Sequence, residues 1–246
     1  MRDQNIYDDP VFFDGYKKLR ENPSAANDLV EKPALFSLLP DLIGQSVLDL
    51  GCGYGENYRE FVRRGAARVL GIDISEKMLA VANRENRDGL VRFLRMSMND
   101  LAPLEGPFDL AVSSLAVHYV EDFDALLDHI HRLLSPNGLF VFSQEHPLTT
   151  ALKREPRWSR DGEGRILHYN LTDYSLPGER KTHWIVDGVV KYHRSFSMIC
   201  NSLIRAGFGL EQVLEPVPEE TVMTAYPAYQ KNQHKPDFLL IRARRM

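Results

Sequence analysis

The sequence predicts an α/β fold, a parallel sheet with crossover helices, on two observations. Short apolar runs alternate with helix-period patterns from Ser46 to His146, and the first run passes through a glycine-rich turn into the first helix. Val47, Leu48 and Leu50 read as a buried strand. Tyr58, Phe61 and Val62 fall at helical spacing after it, and Gly65 sits where a helix C-terminus favours glycine. A strand at 68–73, a helix from Ser75 to about Arg84 and a strand at 91–96 continue the alternation. Phe108 to Ser113 form the fourth strand. Leu126, Leu127, Ile130, Leu133 and Leu134 make one face of a helix, which Ser135-Pro136-Asn137-Gly138 breaks before a fifth strand, Leu139 to Phe142. From Pro147 to Arg194 the composition changes: no apolar run is long, and both tryptophans lie here. Nine Lys or Arg stand against six Asp or Glu in this stretch, which reads as an insertion on the sheet rim. Phe196, Ile199, Leu203 and Ile204 then form a helix stopped by Gly207, and Phe238 to Ile241 a last strand.

The bulk properties bound the function. A chain of 246 residues is one large domain or a domain with a lid, and 43% hydrophobic with 26% charged residues excludes a disordered or collagen-like chain. Thirty basic against thirty-four acidic residues, net −4, argue against nucleic acid and for a small-molecule partner. Cys52 and Cys200 are too few for a disulfide framework. The polar opening Met1 to Pro10 lacks a leader's apolar stretch, and no run reaches bilayer length, so a cytoplasmic protein without a membrane partner is expected. None of the eight histidines belongs to a ligand-spaced cluster, so no metal is expected.

Most of the chemical information lies in Val47-Leu48-Asp49-Leu50-Gly51-Cys52-Gly53-Tyr54-Gly55. Glycines where a strand turns sharply into a helix let a ligand approach the backbone amides. A dinucleotide site would need G-x-G-x-x-G, but Glu56 stands where the last glycine belongs. Asp49 is a carboxylate inside an apolar strand, costly unless donors or a cation meet it. A cationic ligand would answer that cost; hydrogen bonds from turn amides are the alternative. Asp73 ends the second strand twenty residues after Gly53, the interval at which a carboxylate reaches a ribose diol, or else it is a turn residue before a Ser75 cap.

With Leu70-Gly71-Ile72-Asp73-Ile74-Ser75 and Phe108-Asp109-Leu110, this turn resembles the motifs of class I S-adenosylmethionine-dependent methyltransferases, over roughly residues 42–146. The resemblance implies a Rossmann-like doubly wound sheet of about seven strands, mostly parallel with an antiparallel last strand. It implies a single methyltransferase domain over 1–246. Within it, 1–41 form an N-terminal helical lid, 42–146 the cofactor-binding core, 147–194 a substrate lid and 195–246 a C-terminal helix and strands. It also implies S-adenosylmethionine as cofactor, with Gly51, Cys52 and Gly53 backing its methionine part, Asp73 and Ile74 at the ribose and Met78 near the adenine. Ser97 stands where the family often has an aspartate, so recognition passes to Met98 and Asn99; Ser113 ends the fourth strand beside the same pocket. Tyr16 and Arg20 lie four apart, and on a helix would share a face from which Arg20 could clamp the cofactor's carboxylate or remain a solvated charge. Tyr7 is a further candidate of the same kind.

An oxygen or nitrogen nucleophile must lose a proton, and histidines are the candidate bases. His118 follows the fourth strand and His146 the fifth, at the carboxyl ends where open α/β sheets bind ligands. Tyr119, Trp158, Trp184 and His193 are candidate substrate contacts with them. Aromatic walls and Arg160, Arg165 and Arg194 suggest a lid for a planar or anionic molecule, or else a solvated loop. The stretch after the fourth strand lacks the Asn/Asp-Pro-Pro-aromatic sequence of similar enzymes acting on amide or adenine nitrogens, with Ser113 to Ala116 standing there instead. The leading expectation is a methyltransferase acting on a small molecule at oxygen or nitrogen; the others are a non-catalytic S-adenosylmethionine binder and a nicotinamide oxidoreductase.

Overall fold

The computed structural model describes residues 4–86, 88–153 and 156–246. After a 3-10 turn at Ile6–Asp8, helix α1 (Pro10–Arg20) starts at Asp9, whose carboxylate accepts from Phe12 N, with Pro10 at the first helical position. A π-helical turn (Asn27–Glu31) and α2 (Lys32–Ser37) lead into β1 (Ser46–Leu50). Then follow α3 (Tyr58–Arg63), β2 (Arg68–Asp73), α4 (Glu76–Glu85), β3 (Val91–Arg95), β4 (Phe108–Ser113), α5 (Phe123–Leu133) and β5 (Leu134–Glu145). Ser75 caps α4 by accepting from Met78 N, as expected of its position.

Seven strands form one sheet in the order β10-β11-β5-β4-β1-β2-β3, where β10 is Phe208–Leu214 and β11 is Phe238–Arg245. The pairs β1·β2, β2·β3, β1·β4 and β4·β5 are parallel, and β11 runs antiparallel to both β5 and β10. The order reverses between β1 and β4, the switch point at which α/β sheets hold ligands. Both faces are covered. Leu48 and Leu50 pack with Phe123, Leu126, Leu127 and Ile130 of α5 on one side, and Val47, Leu110 and Val112 with Leu35, Leu38 and Phe61 on the other. Asp49 shares Val47's face by the two-residue period of a strand.

The expected break at 135–138 takes the form of an irregularity at the start of β5. Asn137 has φ +64°, and the pairing jumps from Phe108↔Leu134 to Leu110↔Leu139. The insertion contains secondary structure that its composition does not announce: α6 (Pro147–Ala151) and two hairpins, β6–β7 (Trp158–Arg160, Ile166–Tyr169) and β8–β9 (Gly178–Trp184, Val186–His193). After it come α7 (Phe196–Arg205), ended as expected by Gly207 at φ +84°, and α8 (Glu220–Ala225). Among the described residues no helix is long and apolar enough to cross a membrane.

The N-terminal segment lies over the carboxyl ends of the strands and is fastened at several points. Asp8 accepts from Ser75 Oγ at 2.6 Å and Lys77 N at 3.1 Å, at the start of α4. The Gln4 side chain donates to Gly188 O (3.1 Å) and accepts from Val190 N (2.9 Å), tying the segment to the β8–β9 hairpin.

Candidate functional site

A cavity of about 370 Å³ runs along the carboxyl edge of the sheet. Ser97, Met98 and Asn99 after β3 line it, then Asp73 and Ile74 at the end of β2, Gly51 to Tyr54 after β1, Ser114 to Ala116 and His118 to Val120 after β4, and Glu145 ending β5. Its volume is that of a small-molecule site. The roof is aromatic: Tyr7 meets Tyr16 edge-on at 5.3 Å, and Trp184 stands 6.5 Å from Tyr7 and 6.1 Å from Tyr16 between ring centres.

The turn after β1 makes a cradle. Gly51 and Gly53 have φ of +71° and +55°, left-handed conformations that side chains disfavour. A Cβ at Gly53 would meet nothing within 4 Å, whereas one at Gly55 would lie 2.5 Å from the Phe93 ring. Gly53 therefore keeps backbone open to a ligand, and Gly55 permits packing inside the fold. Asp73 braces the turn: Gly53 N donates to its Oδ2 (2.9 Å) and Ser75 N to its Oδ1 (2.8 Å), leaving lone pairs on both oxygens.

Buried polar atoms without a partner concentrate here. Among the described residues these atoms include Arg20 Nη1, Asp49 Oδ1, Tyr54 Oη and His118 Nδ1. Arg20 spends its other terminal nitrogen on Glu56 (2.6 Å) and Asp28 (3.1 Å), and Lys32 joins them at 2.6 and 2.9 Å, so this end of the cavity is a balanced ion cluster with one unused donor. Asp49, only 2% exposed, lies behind the glycine turn rather than on the cavity wall. Burial, then the charges of Asp73 and Glu31, raise its pKa to about 7. An open guanidinium donor followed by an uncompensated carboxylate matches a ligand that carries its own carboxylate and, next to it, positive charge. The donor set therefore fits S-adenosylmethionine.

Of the residues singled out from sequence, Tyr16, Arg20, Gly51, Cys52, Gly53, Asp73, Ile74, Met78, Ser97, Met98, Asn99, His118, Tyr119 and Trp184 all line this cavity. His118 is 3% exposed with its ring 4.4 Å from that of Tyr119, and burial pulls its pKa down to about 3.

Five others do not reach it. Asp49 lies behind the turn, as described. Ser113 turns inward and donates to Leu50 O at 2.9 Å, joining β4 to β1. His146 is used at both nitrogens: Nδ1 accepts from Leu148 N (3.1 Å) as the cap of α6, and Nε2 meets Glu215 at 2.7 Å. His193 is fully buried between Thr150 Oγ1 (2.8 Å) and Tyr174 O (2.9 Å), where it ties the end of β9 to α6 and to the loop before β8 inside the insertion. Trp158 packs on Tyr169, 4.9 Å between centres, in the β6–β7 hairpin. The three arginines also point elsewhere. Arg160 donates to Gly164 O, Arg165 pairs with Asp161, and Arg194 donates to Val120 and Glu121 carbonyls.

Glu145 and Lys191 were not legible as site residues. Glu145 lines the cavity and holds Lys191 Nζ at 2.5 Å; Lys191 itself is buried. The ammonium also lies over the Trp184 ring (5.1 Å) and the Tyr119 ring (6.0 Å). Lys191 holds Glu145 below the usual carboxylate range despite burial. The available signal is the adjacency of Glu145 to His146, one residue along the same strand end.

Residues 48–142 match the family model of a methyltransferase domain. The chain is 44% identical to an S-adenosylmethionine-dependent methyltransferase of known structure from Mesorhizobium loti, covering 87% of this chain and 97% of that one at a TM-score of 0.80. A Haemophilus influenzae protein of uncharacterized function is 40% identical over 98% of this chain and 97% of its own. Trans-aconitate 2-methyltransferase of Deinococcus radiodurans is 32% identical over 58% of this chain and 55% of its own.

Proposed function

The chain belongs to the S-adenosylmethionine-dependent methyltransferases, and from that premise we propose that it methylates an oxygen or nitrogen of a small molecule. The observation that supports this reading most is His118, a buried imidazole on the cavity wall with Nδ1 unpartnered among the described residues. It stands after β4, on the far side of the glycine turn from the adenine-side residues Ser97 to Asn99.

When bound, the cofactor supplies an already activated methyl group, so the protein has mainly to position a nucleophile and exclude water. On this reading Arg20 meets the cofactor's carboxylate with Nη1, and Asp49 offsets its positive charge from behind the turn. Asp73 accepts from the ribose hydroxyls, Met78 packs beside the adenine, and Ser97, Met98 and Asn99 border it. Gly51, Cys52, Gly53, Ile74 and Tyr16 form the remaining walls. His118 stays neutral at working pH because its pKa is about 3. It therefore accepts a hydrogen bond from the nucleophile's O–H or N–H and orients it, and the proton released as the new bond to methyl forms and the sulfur–methyl bond breaks is passed on to solvent rather than stored on the imidazole. Tyr7, Tyr16 and Trp184 shut water out from above. The acceptor is a small molecule rather than nucleic acid, in keeping with the net charge of −4. The free thiols Cys52 and Cys200 are consistent with work in the cytoplasm.

Calorimetric titration with S-adenosylmethionine and with NAD, followed by incubation with methyl-labelled donor and a fractionated metabolite extract, tests the proposal. Donor binding, no NAD binding and a labelled low-molecular-weight product are expected. Label appearing only on protein or nucleic acid would overturn the small-molecule acceptor. Binding with no labelled product from any fraction would favour a sensor without turnover.

A further inference from the structure

We infer that the acceptor end of the cavity is built for an uncharged, ring-bearing molecule with an O–H or N–H, and that the Glu145–Lys191 pair, with the lysine buried and the carboxylate on the cavity wall, sets this charge selectivity. The inference rests on the methyltransferase reading and narrows its substrate class.

Five charged side chains line the cavity among the described residues: Arg20, Lys32, Glu56, Asp73 and Glu145. The first three, with Asp28, neutralise one another at the α1 end. Asp73 is braced by two backbone amides beside β2. Only Glu145 belongs to the β4–β5 end, and its charge is met by Lys191 at 2.5 Å. An anionic acceptor placed there would face Glu145, and the lining cations it could seek are already engaged elsewhere. A cationic acceptor would compete with Lys191, whose ammonium already lies over Trp184 and Tyr119. Either charge would be enclosed without a counter-ion or would strip the buried Lys191 of its partner, and both are costly. A neutral ring has neither cost. It can pack against Tyr7, Tyr119 and Trp184 and donate to His118 Nδ1, which has no other partner among the described residues.

The test uses three near-isosteric phenols: 4-hydroxybenzamide (neutral), 4-hydroxybenzoate (anion) and 4-hydroxybenzylamine (cation). They are titrated at neutral pH into protein saturated with S-adenosylhomocysteine. The readout is Trp184 fluorescence in a Trp158→Phe background, with Trp184→Phe as the blank. The amide should bind tightest, by at least about tenfold over each charged analogue. Glu145→Gln should shift the preference to the carboxylate, Lys191→Met to the amine, and the double variant should restore the amide. Should Lys191→Met fail to fold, Glu145→Gln and the double variant carry the comparison. A charged analogue binding wild type best, a preference unmoved by the substitutions, or no binding by any of the three would overturn the inference. Calorimetry with S-adenosylhomocysteine separates the two levels: if that ligand itself does not bind, the functional reading fails; if it binds and the phenols disobey, only the charge selectivity fails.

Discussion

Asp49→Asn should make the free protein more stable at high pH and a poorer binder of its cofactor. Asp49 is buried in β1, its Oδ1 has no partner among the described residues, and its pKa is raised to about 7 by burial and by the charges of Asp73 and Glu31. A carboxyl whose folded pKa is raised is most favourable to the fold while protonated, and its contribution is lost as pH climbs from the ordinary carboxylate value through about 7. From that interval, the raised pKa of Asp49 lowers stability by about 4 kcal/mol at pH 8 and about 1.5 kcal/mol at pH 5, where the folded carboxyl is protonated but the unfolded one is ionised. Asparagine removes this cost and adds roughly 1–3 kcal/mol for an unsatisfied amide, the same at both pH values. The signature is therefore the difference: Asn should gain roughly 2–3 kcal/mol on Asp between pH 5 and pH 8. Urea unfolding at the two pH values, with circular dichroism, reads it directly. Parallel pH profiles for the two proteins would refute the claim that Asp49 is an uncompensated buried carboxylate. The same substitution should reduce the preference for S-adenosylmethionine over its uncharged-sulfur product, measured by calorimetry.

Asp73→Ala should weaken cofactor binding by about 1.5–3 kcal/mol, the scale of a hydrogen bond to a charged group; an unchanged dissociation constant would remove the ribose role. The two turn glycines should part company. Gly53→Ala adds a methyl that meets nothing in the fold, so it should cost only about 1–2 kcal/mol of stability for its positive φ while impairing cofactor binding. Gly55→Ala, 2.5 Å from Phe93, should instead lower the unfolding midpoint further. His118→Ala should lower kcat by about 10²-fold, the scale of a lost positioning contact, with cofactor affinity held, and kcat should show no ionisation near neutral pH from this residue, whose pKa is about 3. A large loss of cofactor affinity instead would make His118 part of the cofactor pocket.

The sheet and the cofactor side are readable from sequence because local pattern and burial agree there. Every residue of β1 is buried, so its apolar run is nearly continuous, and the glycines, Asp73 and Ser75 follow at intervals set by one strand-turn-helix unit. Tyr16 and Arg20 are legible for a similar reason, since four residues on α1 make one face. The acceptor side is assembled from distant segments: Glu145 from β5, Lys191 and Trp184 from the two strands of one hairpin, and Tyr7 from the N-terminus. No local period connects them. His146 illustrates the difficulty: Glu145 ends the fifth strand and His146 follows it, but a one-residue step at a strand end changes the side to which a side chain points. Glu145 reaches the cavity while His146 caps the next helix. Trp158 and His193 fail for a different reason. Composition marks the insertion as aromatic and basic, but only pairing decides which rings face inward, and β6–β7 uses Trp158 to build its own small cluster with Tyr169.

The most direct test of the central claim is a crystal structure of the protein with S-adenosylhomocysteine. The account predicts ligand density along the edge formed by Ser97 to Asn99, Asp73 and Gly51 to Gly53, with the space beside His118, Tyr119 and Glu145 still open. Density elsewhere, or none in that cavity at a ligand concentration that saturates the protein in solution, would contradict it.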